Sequence, residues 1–222
     1  MRLVVRILLP RASRKLVNKM KRFQRLSILV CCLSLLALVL AACGGGSAST
    51  PEAQPDVGDP SIGPQDAPVT IIEYGDFGCT TCLGWEKAGV RDQILQQYGD
   101  QVRFVWRDFP VITAQSPKAA EAGRCANEQG KFWEYHNLLY AQAPRLSVGD
   151  LKSYAQQIGL DTQQFDPCLD SGKYADYVQQ EIKDARSLGF IGTPSFLVND
   201  KALIGPASLA EFQALIDQDL NR

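Results

Sequence analysis

The amino-acid sequence predicts an α/β fold: a central mixed β-sheet flanked by helices, with an inserted α-helical subdomain at about 113–189. Three observations carry this. A strand-like run, Ala67 to Tyr74, leads into Cys79-Thr80-Thr81-Cys82 and a helical pattern; a second strand pattern, Val102 to Trp106, is followed by a long stretch with only helical spacing; and the chain closes on a hairpin and a capped helix. Strand, helix, strand, helices, hairpin, helix is an α/β order.

The N-terminus stands apart. Arg2 to Arg25 is basic, Leu26 to Ala42 is apolar, and Ala41-Ala42 precede Cys43, the three parts of an export signal over 1–42. An uncleaved membrane anchor is the competing reading, but seventeen apolar-run residues interrupted by Ser27 and Ser34 are short of the roughly 20 a span needs. Met20-Lys21-Arg22 would open a signal of ordinary proportions, so translation is expected to start at Met20. Residues 43–60 are Gly-, Ser- and Pro-rich and too polar to bury a core, which predicts a flexible tether.

Charge follows the same division. Nine of the 23 basic side chains precede Cys43 and none of the 24 acidic ones does, leaving fourteen against 24, a net of −10 for the remainder. So acidic a body argues against nucleic acid as a partner, since phosphate contact is driven by Lys and Arg.

In the predicted domain, 61–222, Val69, Ile71 and Glu73 alternate with Thr70, Ile72 and Tyr74. If both faces are covered, Glu73 is a carboxylate in an apolar interior, where desolvation raises its pKa and suits it to carry a proton for Cys82. From Cys79 to Tyr98, Leu83, Val90, Ile94, Leu95 and Tyr98 keep helical spacing, with Gly84 and Gly89 marking a kink. Ser116-Pro117, Gly130, Ser147 with Asp150, Gly159 and Gly189 punctuate several helices. Trp133, Tyr135 and His136 within them read as packing residues. Strand character returns over Phe190 to Val198, Asn199-Asp200 turns the chain into Lys201 to Ile204, and Ser208 with Glu211 caps the last helix.

Two cysteines separated by two residues at a helix start can close a small disulfide, and the N–H groups there favour a thiolate over a thiol. A structural disulfide and half of a zinc site are the other readings of the pair. Zinc would need two more ligands, and the remaining cysteines stand singly beside one histidine, His136. Of seven cysteines, Cys31 and Cys32 leave with the signal; with Cys43 set aside, Cys79, Cys82, Cys125 and Cys168 remain. An even remainder suits an oxidising compartment and predicts a Cys125–Cys168 disulfide stapling the insertion, against two separate buried thiols.

Phe77-Gly78-Cys79-Thr80-Thr81-Cys82, Glu73 six residues before the first cysteine, the run Glu128 to His136, and Gly192-Thr193-Pro194-Ser195-Phe196 together resemble the DsbA-like thiol-disulfide oxidoreductases, from about Asp59 onward. The resemblance implies a thioredoxin-like fold, Cys79 as the exposed nucleophile, Cys82 as the buried resolving thiol, and a cis Pro194 preceded by Thr193 facing both. No cofactor or metal is implied. Leu40-Ala41-Ala42-Cys43 likewise resembles a lipoprotein lipobox, implying that Cys43 is lipidated and anchors the chain to a membrane outside the cytoplasm. The expected partners are unfolded or reduced exported proteins and a quinone-linked membrane oxidase, DsbB-like or VKOR-like. Thr80-Thr81 replaces the Pro-His pair of well-studied members, so no imidazolium sits beside the thiolate, which implies a less acidic Cys79 and a less oxidising disulfide. A membrane-anchored reductase of the same fold is the alternative; from a different class, so is an exported copper chaperone using Cys79 and Cys82, although nothing after Met20 supplies a methionine.

Overall fold

The computed structural model describes residues 58–221. The expected signal, Cys43 and the tether up to residue 57 lie outside them. Among the described residues no helix is long and apolar enough to cross a membrane.

Among the described residues five strands form one mixed sheet in the order β1-β3-β2-β4-β5. The central strand β2 (Val69–Gly75) runs parallel to β3 (Val102–Asp108) and antiparallel to β4 (Ser195–Val198), which pairs with β5 (Lys201–Ile204). β1 (Ser61–Ile62) adds two residues to the far edge of β3. This short strand was not expected; a polar neighbourhood rich in Pro and Gly carries no alternation to reveal it.

Between β2 and β3 the chain forms two helices instead of one bent helix. α1 (Thr80–Lys87) and α2 (Val90–Tyr98) are separated at Gly89, whose φ of 66° is left-handed and open to glycine at little cost. After β3 come five helices, α3 (Ser116–Asn127), α4 (Phe132–Gln142), α5 (Val148–Gln157), α6 (Thr162–Asp170) and α7 (Ala175–Ser187), and α8 (Leu209–Leu220) ends the described chain. Reciprocal capping boxes, Ser147 with Asp150 and Ser208 with Glu211, start α5 and α8. Ser116 is the first helical residue of α3 rather than its cap, because its hydroxyl bonds back to Thr113. Cys125 on α3 and Cys168 on α6 form a disulfide.

The expected strand over Phe190 to Val198 begins only at Ser195. The preceding loop contains a cis Thr193–Pro194 peptide, and a proline lacks the N–H that a ladder needs. Apolar layers cover both faces of the sheet. On one face α1, α2 and α8 pack on Val69, Ile71, Val102, Phe104, Phe196 and Val198, and beside them the insertion's aromatic residues close around Phe77, Trp106, Cys79 and Cys82; on the other, Tyr74 packs against Val178, Ile182, Ala185 and Phe190.

Candidate active site

The site lies where β2 ends. Asp76 turns the chain into α1: its carboxylate accepts from the backbone N–H of Gly78 at 2.7 Å and from those of Val111 and Ile112 at 2.8 Å each. A side chain at Gly78 would strike the Ser116 hydroxyl at 2.5 Å, so only glycine allows this close approach. Cys79 follows as the N-cap of α1, and its Sγ accepts from the N–H of Cys82 at 3.4 Å. A sulfur in that place lies among unpaired N–H groups at the positive end of the helix.

Both cysteines are buried, Cys79 included where the resemblance implied an exposed nucleophile, because the proline loop covers it; unbonded to each other here, they are electrostatically unequal. A hydrogen bond from Cys82, then contacts with Thr193 and the backbone N–H groups of Cys82 and Thr81, bring the Cys79 pKa down to about 5 against the opposing effect of burial. No imidazolium is involved. Burial, together with the Cys79 hydrogen bond and the Glu73 charge, pushes the Cys82 thiol far up. One thiol is thus a ready thiolate and leaving group, while its neighbour holds its proton.

The loop before β4 closes the site, where the cis Thr193–Pro194 peptide places the Thr193 carbonyl 3.3 Å from Cys79 Sγ. From below, Glu73 points into the interior from β2, opposite Trp106 on β3 and Phe196 on β4. It is fully buried, and neither carboxylate oxygen has a hydrogen-bond partner among the described residues. Burial, followed by the Glu86 charge, raises its pKa well above the ordinary value, with Arg91 opposing. A buried carboxyl held protonated beside a buried thiol can exchange a proton with it. Cys79, Cys82, Glu73, Thr193 and Pro194 therefore share one site; Cys43 lies outside the described residues.

Sequence reasoning missed a second carboxylate. Glu86 lies one helical turn beyond Cys82, an i,i+4 spacing that puts both on one face of α1. Its Oε1 accepts from Arg91 Nη1 at 3.1 Å, and burial lifts its pKa to about 7 despite that arginine. With Leu83, Lys87, Arg91, Asn137 and Tyr140 it lines a pocket of about 330 Å³. His136, expected only to pack, does pack edge-on against Trp106, Phe77 and Tyr140, yet its Nε2 lies 3.8 Å from Glu86 Oε1. Tyr140 donates to the Asp76 carbonyl at 3.2 Å, tying the insertion to the active-site turn.

Comparison with known proteins agrees with this arrangement. A family model described as thioredoxin, Thioredoxin_4, matches residues 56–218. Among solved structures, a thioredoxin-like oxidoreductase from Silicibacter pomeroyi DSS-3 is 28% identical with a TM-score of 0.65, covering 74% of this chain and 93% of that one. Oxidised BdbD from Bacillus subtilis is 24% identical with a TM-score of 0.68, covering 75% and 95%, and shares the fold. Curated relatives include the Na(+)/H(+) antiporter NhaA 3 of Salinispora tropica, 38% identical over 69% of this chain, and NhaA 1 of Mycobacterium sp. strain KMS, 37% identical over 65%. The chain spans about a quarter of their length, 24% in each case. On the strength of the family match across most of its length, and of a C-x-x-C at a helix start facing a cis-proline loop, the chain belongs to the thioredoxin family, in a DsbA-like form with a helical insertion.

Proposed function

We propose that the chain is a thiol-disulfide oxidoreductase that introduces disulfides into exported proteins. The observation that carries this reading is the asymmetry of the pair: Cys79 held near pKa 5 at the start of α1, Cys82 held protonated behind it. A stabilised thiolate favours the dithiol form, and a pair whose dithiol form is favoured is oxidising as a disulfide.

In the reaction a client thiolate attacks Cys79 Sγ of the Cys79–Cys82 disulfide, and Cys82 leaves as a thiolate that takes a proton from Glu73. A second client thiolate then attacks the client sulfur of the mixed disulfide and expels the Cys79 thiolate. Two electrons pass from the client to the pair. The Thr193 carbonyl beside Cys79 offers an acceptor to the backbone of an extended client chain.

Reoxidation needs an electron acceptor, which we assign to a quinone-linked membrane oxidase of the DsbB-like or VKOR-like kind. The basic, apolar and small-residue order of 1–42 and a lipidated Cys43 would place the domain outside the cytoplasm at a membrane. The test is the equilibrium of the Cys79–Cys82 pair with glutathione, read together with the refolding rate of a reduced client. An oxidase gives a potential well above that of the cytosolic glutathione pool and speeds client oxidation; a pair that stays dithiol in cells and reduces clients instead would make the protein a reductase.

A further inference from the structure

Glu73 is sealed from solvent, so a proton that it gives to Cys82 has to be replaced from elsewhere. Glu86 is the charged group acting most strongly on Glu73, and it lines the pocket between α1, α2 and α4. Beside it is a polar group that the exchange reaction leaves unused. Asn137 Oδ1 lies 3.5 Å from Arg91 Nη2 and 3.0 Å from His136 Nδ1. A guanidinium only donates, so the Asn137 atom facing both is its acceptor oxygen, and His136 Nδ1 must carry the imidazole proton. Nε2 is then a bare lone pair, fully buried, without a donor among the described residues, and turned toward Glu86 Oε1 at 3.8 Å. An unpaired buried acceptor is costly, and a protonated Glu86 is the donor within reach.

We propose that His136 is the hydrogen-bond acceptor for the protonated form of Glu86, and that this pair makes Glu86 the port through which Glu73 exchanges protons with solvent. Glu86 has two settings. As a carboxylate it is held by Arg91; as an acid it turns its O–H to His136 Nε2. When Cys82 has taken the proton of Glu73, the Glu73 carboxylate takes one from Glu86 over water admitted from the pocket, Glu86 swings to Arg91, and solvent reloads it. Reoxidation of the pair runs the same proton outward. Of the other groups facing Glu86, Asp92 beside Arg91 on α2 opposes its ionisation, Lys87 on its own helix and Tyr140 on α4 line the same pocket, and His136, brought down to about 3 by burial and by Arg91, stays neutral throughout. The proton route rests on the thiol-disulfide reading above; the His136–Glu86 contact does not.

His136 is the single histidine of the chain, so its ring nitrogens can be observed without assignment by mutation. In a ¹⁵N NMR titration of the full chain, Nδ1 should keep its proton across the neutral range while the Nε2 resonance moves part of the way toward a hydrogen-bonded value as Glu86 protonates near pH 7. E86Q should abolish that movement. In a ¹³C carboxyl titration H136N, which has no acceptor at the Nε2 position, should lower the Glu86 midpoint by roughly 0.4 to 1 pH unit, and H136Q, whose amide oxygen reaches that position, should restore it. A proton on Nε2, an Nε2 resonance unmoved between pH 5 and 9, or a Glu86 midpoint unchanged in folded H136N would each overturn the proposal. The wild-type measurement decides even if both variants misfold. Failure here leaves the glutathione equilibrium of the cysteine pair untouched, so the two readings fall separately.

Discussion

Two buried polar clusters lie on the same sheet and are built by opposite rules. At the outer edge of β3, Arg124 bonds Asp108 at 2.5 Å and Glu181 at 3.0 Å, while Arg107 bonds Glu181 at 3.1 Å and Asp59 at 2.6 Å, with the Tyr177 hydroxyl also on Asp59 at 2.9 Å. Every carboxylate there has a cation. At the end of β2, among the described residues, Glu73 has none within bonding distance and His136 Nε2 has no donor. Paired charges fasten the insertion to the sheet; the carboxyl without a cation at the end of β2 is held in its acid form, beside a thiol that can take its proton. Structure and chemistry are thus separated by how completely each cluster is satisfied.

The comparison breaks first at Cys79. C79S should reduce client oxidation to the uncatalysed rate while the domain stays folded, because Ser cannot take the disulfide step; refolding of a reduced client measures it.

In the paired cluster, R124A leaves Asp108 and Glu181 buried without their shared partner. It should cost about 3–5 kcal/mol in denaturant unfolding, with the redox equilibrium of the molecules still folded unchanged. Loss of redox behaviour in folded R124A would mean that the clusters are not separate. The C125A/C168A pair tests the same division more gently. Opening a loop with a sequence separation of 43 should cost at most roughly 4 kcal/mol and leave the Cys79 pKa where it is.

The unpaired cluster responds in rate and in pH dependence rather than in stability. E73Q should slow formation and resolution of the mixed disulfide at Cys82 by roughly 10²-fold, read by stopped-flow fluorescence. Its stability effect has a definite sign. The native Glu73 keeps its proton where the unfolded chain, with a glutamate pKa near 4.5, has released it, so native stability falls as pH rises above about 4.5. Glu86 and Glu181, both lifted to about 7, act in the same direction up to that pH. Measured on the disulfide form, where no redox thiol titrates, unfolding of E73Q should show a shallower decline with pH than wild type. An identical decline would mean that Glu73 is ionised in the native protein.

Much of this was legible in the sequence, for local reasons. β2 shows its period of two, the capping boxes are written three residues apart, and the C-x-x-C declares itself by spacing. The departures are local too: Gly89 takes a left-handed turn that splits the helix, and the proline loop delays β4 to Ser195. Of the site, Cys79, Cys82, Glu73, Thr193 and Pro194 could be named in advance. His136 could not be linked to Glu86, because α4 and α1 are 50 residues apart at these positions and meet only through packing around Trp106 and Phe77. The one sequence trace of Glu86's role is its place four residues after Cys82. The paired cluster was illegible as well, since Asp59, Arg107, Arg124 and Glu181 come from four separate segments.

The central claim is that the sulfur capping α1 is an acidic nucleophile while its neighbour is not. Titration of thiolate ultraviolet absorbance in the reduced protein, repeated on C82S and C79S, tests it most directly. The reduced wild type should show one thiolate forming with a midpoint of about 5 that disappears in C79S, and no second thiolate in the neutral range. A Cys79 midpoint near the ordinary thiol value of about 8.5 would contradict the account.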